Sequence, residues 1–402
     1  PINSVIVSDY NAILLGARSL AYGNAVVDTF PCIEFLRQFW YRYVNCDESH
    51  FLKNGSSRNA AAGRLIIDNK KKRLMSGTMV TDTIRDLVRQ TALMDPTVFG
   101  TETDFINKYA HKVSGTKVME WKPGAEIEIK QLLKNHVVVA EAKRKEWAAI
   151  LPTPVIRFHP VEMSETQQAA YHEVLLRVIE ALQERAKESK VLADLLSGKI
   201  DADEAGIDLD SLLKPYLARL ERFLTAPAKD AYGKTILKGE DAISPKVRVI
   251  NEICRKHIED GTPGKILIFT NYEYSAEAIF EGLAQAGLQD KAIYYTAAEK
   301  EECGAEFEKN PKKLIMVGIE QSLNTGLNLQ HASRLIRPET VWTPGTVEQG
   351  NSRIGRPNIK VKETRSQIFY DSIVANNTID VTKSAYLMAK TISKAKFDEA
   401  GN

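Results

Sequence analysis

Asp47-Glu48-Ser49-His50 sets two adjacent carboxylates directly behind Tyr41–Cys46, a short stretch that reads as a strand. A strand ending in such a pair carries both to the carboxyl edge of a sheet, where α/β folds bind ligands. The chemistry that needs them is polyphosphate hydrolysis. One carboxylate holds a hydrated Mg²⁺ on the phosphates, and the next orients or deprotonates the attacking water. Downstream, Ser76-Gly77-Thr78 ends another strand candidate, and small hydroxyl residues at that edge can relay a change of nucleotide state. In the second half, Gln349, Arg353 and Arg356 stand at i, i+4 and i+7, one face of a helix. Two guanidiniums on one face suit a polyphosphate, because arginine is planar and always charged. Pro357 disfavours helical geometry at Arg356, which places that arginine at the helix end, able to reach into a cleft.

These residues need a scaffold that alternates strands and helices. Residues 4–7, 41–46 and 73–78 read as strands, with the helical patterns "CIEFLRQFWYR" and "DTIRDLVRQTALM" among them. The alternation predicts a parallel α/β sheet. "KKKR" at 70–73 reads as a solvated turn. From about 161 to 240 the pattern is helical, with apolar residues at helical spacing and many i, i+4 charge pairs, as in an inserted helical subdomain. At 245 the alternation resumes: "PKVRVINEICRKHIEDG" and "SAEAIFEGLAQAG" read as helices, "KILIFTN", "KAIYYT" and "KLIMVGI" as strands.

With 402 residues the chain can fill two or three domains, and 44% hydrophobic and 26% charged residues fit an ordinary globular protein. A net charge of +2 excludes a histone-like binder driven by bulk charge but leaves room for local patches. Cys32, Cys46, Cys254 and Cys303 form no C-x-x-C pair and complete no zinc pattern with the seven histidines, so free thiols in a reducing, intracellular compartment are expected. No apolar run reaches the length of a membrane span. "DADEAGIDLD" at 201–210 starts like a calcium loop, but Ala205 and Leu212 stand where ligands are needed. A phosphate-binding loop wants a strand, then glycines, then Lys and Ser/Thr opening a helix. "AKDAYGKT", Ala228–Thr235, has a loosened version of that spacing, yet it follows a helical pattern and precedes none.

The order of these motifs resembles the Swi/Snf-type ATPases of helicase superfamily II. "DESHFLKNGSSRN" is similar to motif II with its extension, keeping Lys53 and Asn54. "KRLMSGTMVTDTIRDLVRQTALMDPTVFG" resembles motif III, with Met79 where the family has proline. "GKILIFTNYEYSAEAI" looks like motif IV, "TGLNLQHA" like motif V, "WTPGTVEQGNSRIGRPN" like motif VI, and "NNTID" (376–380) like the brace that follows it. The resemblance runs from about residue 4 to 390. It implies an α/β protein of two RecA-like parallel-sheet lobes: the first, incomplete, over 1–160, a helical protrusion over 161–243, and the second lobe with its brace over 244–402. It implies ATP and Mg²⁺ as cofactors and double-stranded DNA as partner, with protein partners through the protrusion and no membrane. By carry-over, Asp47 coordinates Mg²⁺, Glu48 activates water, and Arg353 and Arg356 contact the γ-phosphate. His50, Ser76, Gly77, Thr78, Gly326 and Gln349 couple nucleotide state. Ser8, Tyr10, Lys53, Asn54, Thr270, Asn271, Thr325 and Asn328 face DNA or couple it to the nucleotide. The family's phosphate loop belongs further upstream of Asp47 than residues 1–46 allow, so a fragment of a longer motor is expected. A non-catalytic two-lobe module and a strand-separating DNA or RNA helicase are the alternatives.

Overall fold

The computed structural model describes residues 43–47, 49, 71–76, 84–112, 119–136, 153–197, 199, 209–230, 233–295, 300–323, 329–354 and 367–399. The chain divides into two compact units, one formed by 1–142 with 343–346 and 388–402, the other by 143–342 with 347–387.

In the first unit, β1 (Tyr43–Cys46) and β2 (Lys71–Leu74) pair in parallel, with Cys46 opposite Leu74. "KKKR" is therefore no turn over 71–73: Lys71, Lys72 and Arg73 belong to β2. Its alternation turns Lys71 and Arg73 outward and half-buries Lys72 and Leu74. Local charge predicts a turn, and pairing with β1 overrides it. Cys46 and Leu93 bury together, with Val44 and Leu74 packed against them. Beyond β2 come α1 (Arg85–Met94), α2 (Glu102–Tyr109), the antiparallel pair β3 (Ala110–Lys112) and β4 (Met119–Trp121), and α3 (Ala125–His136). Thr101 and Asp104 close a reciprocal capping box on α2. Phe105, Tyr109, Trp121 and Ile129 form the core of this part.

In the second unit the described strands form a six-stranded, wholly parallel sheet. Its edge strand β5 (Val155–Val161) is followed by α4 (Glu165–Glu188), α5 (Lys190–Leu196), α6 (Leu209–Thr225) and α7 (Pro245–Glu259). Then come β6 (Lys265–Thr270), α8 (Glu273–Gln285), β7 (Ala292–Tyr294), α9 (Lys300–Lys309), β8 (Ile315–Ile319), α10 (Glu320–Leu323), β9 (Ala332–Arg337), α11 (Pro344–Ile354), β10 (Phe369–Ala375) and α12 (Ile379–Glu399). The strand order is β5-β10-β9-β6-β8-β7. The boundary expected at residue 160 thus falls inside β5, which pairs with β10 along its whole length. The helical segment α4–α6 sits in the crossover from β5 to β6. Ser164 and Gln167 box its first turn, and Tyr171, Val178, Leu220 and Phe223 bury in the same cluster as Ile266 and Ile268.

Ile266, Leu267 and Ile268 are all fully buried, as a strand covered on both faces requires. Burial of each such side chain contributes about 1.5–3 kcal/mol. Alternate residues go to opposite layers. Ile266 and Ile268 meet α7 and α8, while Leu267 and Phe269 meet α9 and α11 through Cys303, Phe307 and Ile354. The chain therefore leaves β6 toward one face of the sheet, whereas it leaves the neighbouring strands β8 and β9 toward the other. Open α/β sheets bind ligands in the crevice at the carboxyl ends of strands where the connections diverge in this way.

On the α7 side, His257 is buried with Nε2 donating to the Gly264 carbonyl at 3.0 Å, and Nδ1 has no partner among the described residues. Burial depresses its pKa, the Gly264 bond offsetting part of that. A histidine held neutral by the fold contributes stability that is complete above the unfolded value of about 6.5 and is lost as pH falls through the lower folded value. The melting temperature is expected to drop as the pH is lowered from about 6.5 toward the folded value. His257→Gln, which keeps a donor for Gly264, should flatten the drop in a pH series of thermal melts.

Candidate functional site

Parallel pairing aligns the carboxyl ends of β1 and β2, so Asp47 and Ser49 of the acidic box emerge beside Met75 and Ser76. The Met75 N–H donates to the Cys46 carbonyl and the Ser49 N–H to the Met75 carbonyl, both at 2.9 Å. Ser49 itself is buried, its hydroxyl 3.5 Å from Gln90 Oε1 on α1. Asp47 is left exposed at the edge, and Ser76, just past the end of β2, is half-buried. An exposed carboxylate at a sheet's carboxyl edge can meet a hydrated cation on a phosphate chain.

At the crevice flanking β6 in the second unit, Thr270 is completely buried, its hydroxyl 3.1 Å from the Tyr272 carbonyl and 3.3 Å from that of Gly318. Its side chain is thus committed to backbone carbonyls within the fold. Asn271 is half-buried at the lip, and its N–H donates to Glu339 Oε2 at 2.9 Å across the crevice from the end of β9. Glu339 is buried, and that burial raises its carboxyl pKa against the pull of the Asn271 bond.

One step back along β9, Arg337 clasps Glu320 at the end of β8, with Nη2 to Oε1 at 2.8 Å and Nε to Oε2 at 3.3 Å. Its Nη1 reaches Asn351 Oδ1 on α11 at 2.7 Å. Tyr370 on β10 donates to the Asn351 carbonyl at 3.1 Å. Helix α11 is thus pinned by a buried arginine, and Gly350 sits against the pair so closely that a Cβ there would lie 2.1 Å from Glu320 Oε1. The helix places Gln349 and Arg353 one turn apart, both half-buried, in the i, i+4 relation expected of them. Arg337 therefore sets where Arg353 stands.

Of the residues singled out from sequence, Ser8, Tyr10, Glu48, His50, Lys53, Asn54, Gly77, Thr78, Thr325, Gly326, Asn328 and Arg356 lie outside the described residues. Asp47 and Ser76 come together at one sheet edge, and Thr270 and Asn271 at another. Sequence reading missed Ser49, Glu320, Arg337 and Glu339. The available signal was a charged residue closing an apolar strand, as in "RLIRPE", and a Glu directly after "IMVGI". The phosphate-loop look-alike is a tight hairpin, with Lys229 bridged antiparallel to Thr235, the Asp230 N–H donating to the Lys234 carbonyl at 2.9 Å, and Gly233 at φ +80. It has neither a strand before it nor a phosphate-cradling helix after it. Cys46, Cys254 and Cys303 are free thiols, and burial pushes the Cys254 thiol up to about 12. No described helix is long and apolar enough to cross a membrane.

Comparison with known proteins agrees with the motif order. The SNF2-related domain matches residues 16–205, and the helicase conserved C-terminal domain matches 246–358. The chain is 23% identical over 328 residues to the DNA repair and recombination protein RDH54 of Saccharomyces cerevisiae, covering 78% of this chain and 34% of that one. It is 23% identical over 339 residues to the uncharacterized ATP-dependent helicase YqhH of Bacillus subtilis, covering 81% of this chain and 55% of that one. It thus spans about a third of the yeast relative and about half of the bacterial one. Among solved structures it is similar to the Sulfolobus solfataricus SWI2/SNF2 ATPase core in complex with dsDNA, at a TM-score of 0.41 and 17% identity, covering 91% of this chain and 72% of that one. With the SNF2-related domain followed by the helicase C-terminal domain along most of its length, the chain belongs to the Swi/Snf-type ATPases of helicase superfamily II.

Proposed function

We propose that the chain is core machinery of an ATP-driven motor that moves along double-stranded DNA. The observation that carries this reading is the juxtaposition of Asp47 and Ser49 with Met75 and Ser76 at the carboxyl edge of a parallel pair. The names of two relatives support the choice of fuel and track: the bacterial one is an ATP-dependent helicase and the yeast one acts in DNA repair and recombination. Asp47 would hold the Mg²⁺. Among the described residues no three His, Cys, Asp or Glu gather as a metal site. An exposed carboxylate suits an ion that keeps most of its waters and is held chiefly by substrate phosphates. When bound, the ion neutralises charge on those phosphates. Glu48 would orient the attacking water. Arg353 and Arg356 would meet charge developing on the γ-phosphate. Gln349, His50, Ser76, Gly77, Thr78 and Gly326 would carry nucleotide state to the DNA-facing Ser8, Tyr10, Lys53, Asn54, Asn271, Thr325 and Asn328, with Thr270 in a coupling role.

The test is ATP hydrolysis by the protein with and without duplex DNA. Turnover stimulated by duplex is expected to fall by about a hundredfold or more in Glu48→Gln, and by about a thousandfold in Arg353→Ala. Turnover indifferent to duplex, or untouched by Glu48→Gln, would sink the proposal. Stimulation by single strands or RNA in place of duplex would redirect it to a strand-separating helicase.

A further inference from the structure

The short loop that follows β6, Asn271–Tyr272, and the first turn of α8 behind it lie at the crevice where the connections of the second sheet diverge, yet much of what holds them belongs to α6, a helix from the β5–β6 crossover. Thr225, the last residue of α6, donates its hydroxyl to Glu339 Oε1 at 3.1 Å, while the other carboxylate oxygen accepts from the Asn271 N–H at 2.9 Å. The Tyr272 hydroxyl donates to Glu221 on α6, which in turn pairs with Lys383 on α12. The Tyr274 hydroxyl donates to the Ala218 carbonyl at 3.1 Å, and the Arg222 guanidinium lies over the Tyr274 ring, 4.5 Å from its centroid. The two tyrosine rings stack, 5.0 Å apart and 9° from parallel. Thr225, Glu221 and Glu339 are each at most 2% exposed, so these bonds are shielded from competing water. Asn271, Tyr272 and Tyr274 have no need of so many ties to a distant helix merely to lead from β6 into α8.

We propose that α6 is the positioning element of this crevice: through Thr225–Glu339 and Glu221 it holds the Asn271–Tyr272 loop and the first turn of α8 in the geometry that meets the ligand. The helical segment then serves the site directly and is more than an appendage for partners. Glu339 is the keystone, since its two oxygens join helix and loop. Buried and bonded at both oxygens of Glu339, such a network holds one geometry in place of several. The identity of the ligand as duplex DNA rests on the function proposed above. The clamp itself rests only on these contacts.

The experiment compares wild type, Thr225→Val with Tyr272→Phe, and the conservative Thr225→Ser, none of which removes a charged group. Hydrogen exchange is read at the Asn271–Tyr274 amides, and duplex affinity by fluorescence anisotropy. In the double variant, loop exchange is expected to speed up and duplex binding to weaken, each by about tenfold, with β6 exchange unchanged. Thr225→Ser should match wild type in both. Unchanged loop exchange in the double variant would overturn the clamp. Faster exchange with unchanged affinity would overturn its role in positioning. Should wild type bind no duplex, the proposed function fails, and loop exchange alone decides the clamp.

Discussion

Lys246→Met is expected to cost the second unit about 3–5 kcal/mol, the penalty for stranding one member of a buried ion pair. Lys246 is fully buried on α7, its Nζ 2.5 Å from Asp380 Oδ2 and 2.6 Å from the Pro338 carbonyl. Asp380 is equally buried. The same Oδ2 accepts from the Ala375 N–H at 3.0 Å, and Oδ1 meets no donor among the described residues. Remove the ammonium, and a carboxylate is left in a low-dielectric interior with one amide for company. At roughly 2–4 °C per kcal/mol for a unit of this size, the melting temperature should fall on the order of 10 °C. Pairing Lys246→Met with Asp380→Asn should recover much of the loss, because the penalty lies in the uncompensated charge more than in the missing attraction. A double variant no more stable than the single one would refute that partition. The prediction also explains the brace at 376–380. Thr378 caps the start of α12, its hydroxyl accepting from the Asp380 N–H at 3.2 Å and donating to the Ala375 carbonyl at 2.7 Å, and Asp380 ties that helix through Lys246 to α7 and the end of β9.

Gly350→Ala should destabilise on a similar scale, against the usual sign of the change. In a helix interior, Ala for Gly ordinarily stabilises by about 1 kcal/mol. Here the new Cβ would stand 2.1 Å from Glu320 Oε1 and 2.3 Å from Arg337 Nη2. Neither group can yield cheaply. Both are buried, they are bonded to each other, and Arg337 also holds Asn351. Either the pair parts, at a cost of about 3–5 kcal/mol, or α11 lifts and carries Arg353 with it. A thermal melt reads the first outcome. The second would appear as lost ATP turnover with the melting temperature little changed. An alanine variant as stable and active as wild type would mean that α11 does not rest on the pair.

The motif chemistry was legible because it is local. A strand followed by two carboxylates, or arginines at i and i+4, needs only covalent spacing and the period of one element to be recognised. The apolar runs "KILIF" and "LIMVGI" likewise announce parallel strands by being hydrophobic on both faces. The structure differs where long-range pairing outweighs local signal. Lys71–Leu74 reads as a charged turn until β1 lies beside it. Val155–Val161 looks like the tail of one lobe until β10 claims it, with Arg157, Phe158 and His159 among its seven residues giving no apolar alternation to betray its sheet. Gly350 reads as a weak point in a helix until Glu320 and Arg337 arrive from two other strand ends.

What the sequence by itself determined is the kind of chemistry and the order of the parts: acidic box, hydroxyl segment, helical insert, second sheet, arginine helix. Only the tertiary structure decided which charged residues are buried fasteners of the fold. Arg353 and Arg337 are alike in one dimension. Burial beside a carboxylate makes Arg337 a fastener, and that depends on residues brought together from β8, β9 and α11, whose proximity no spacing along the chain encodes.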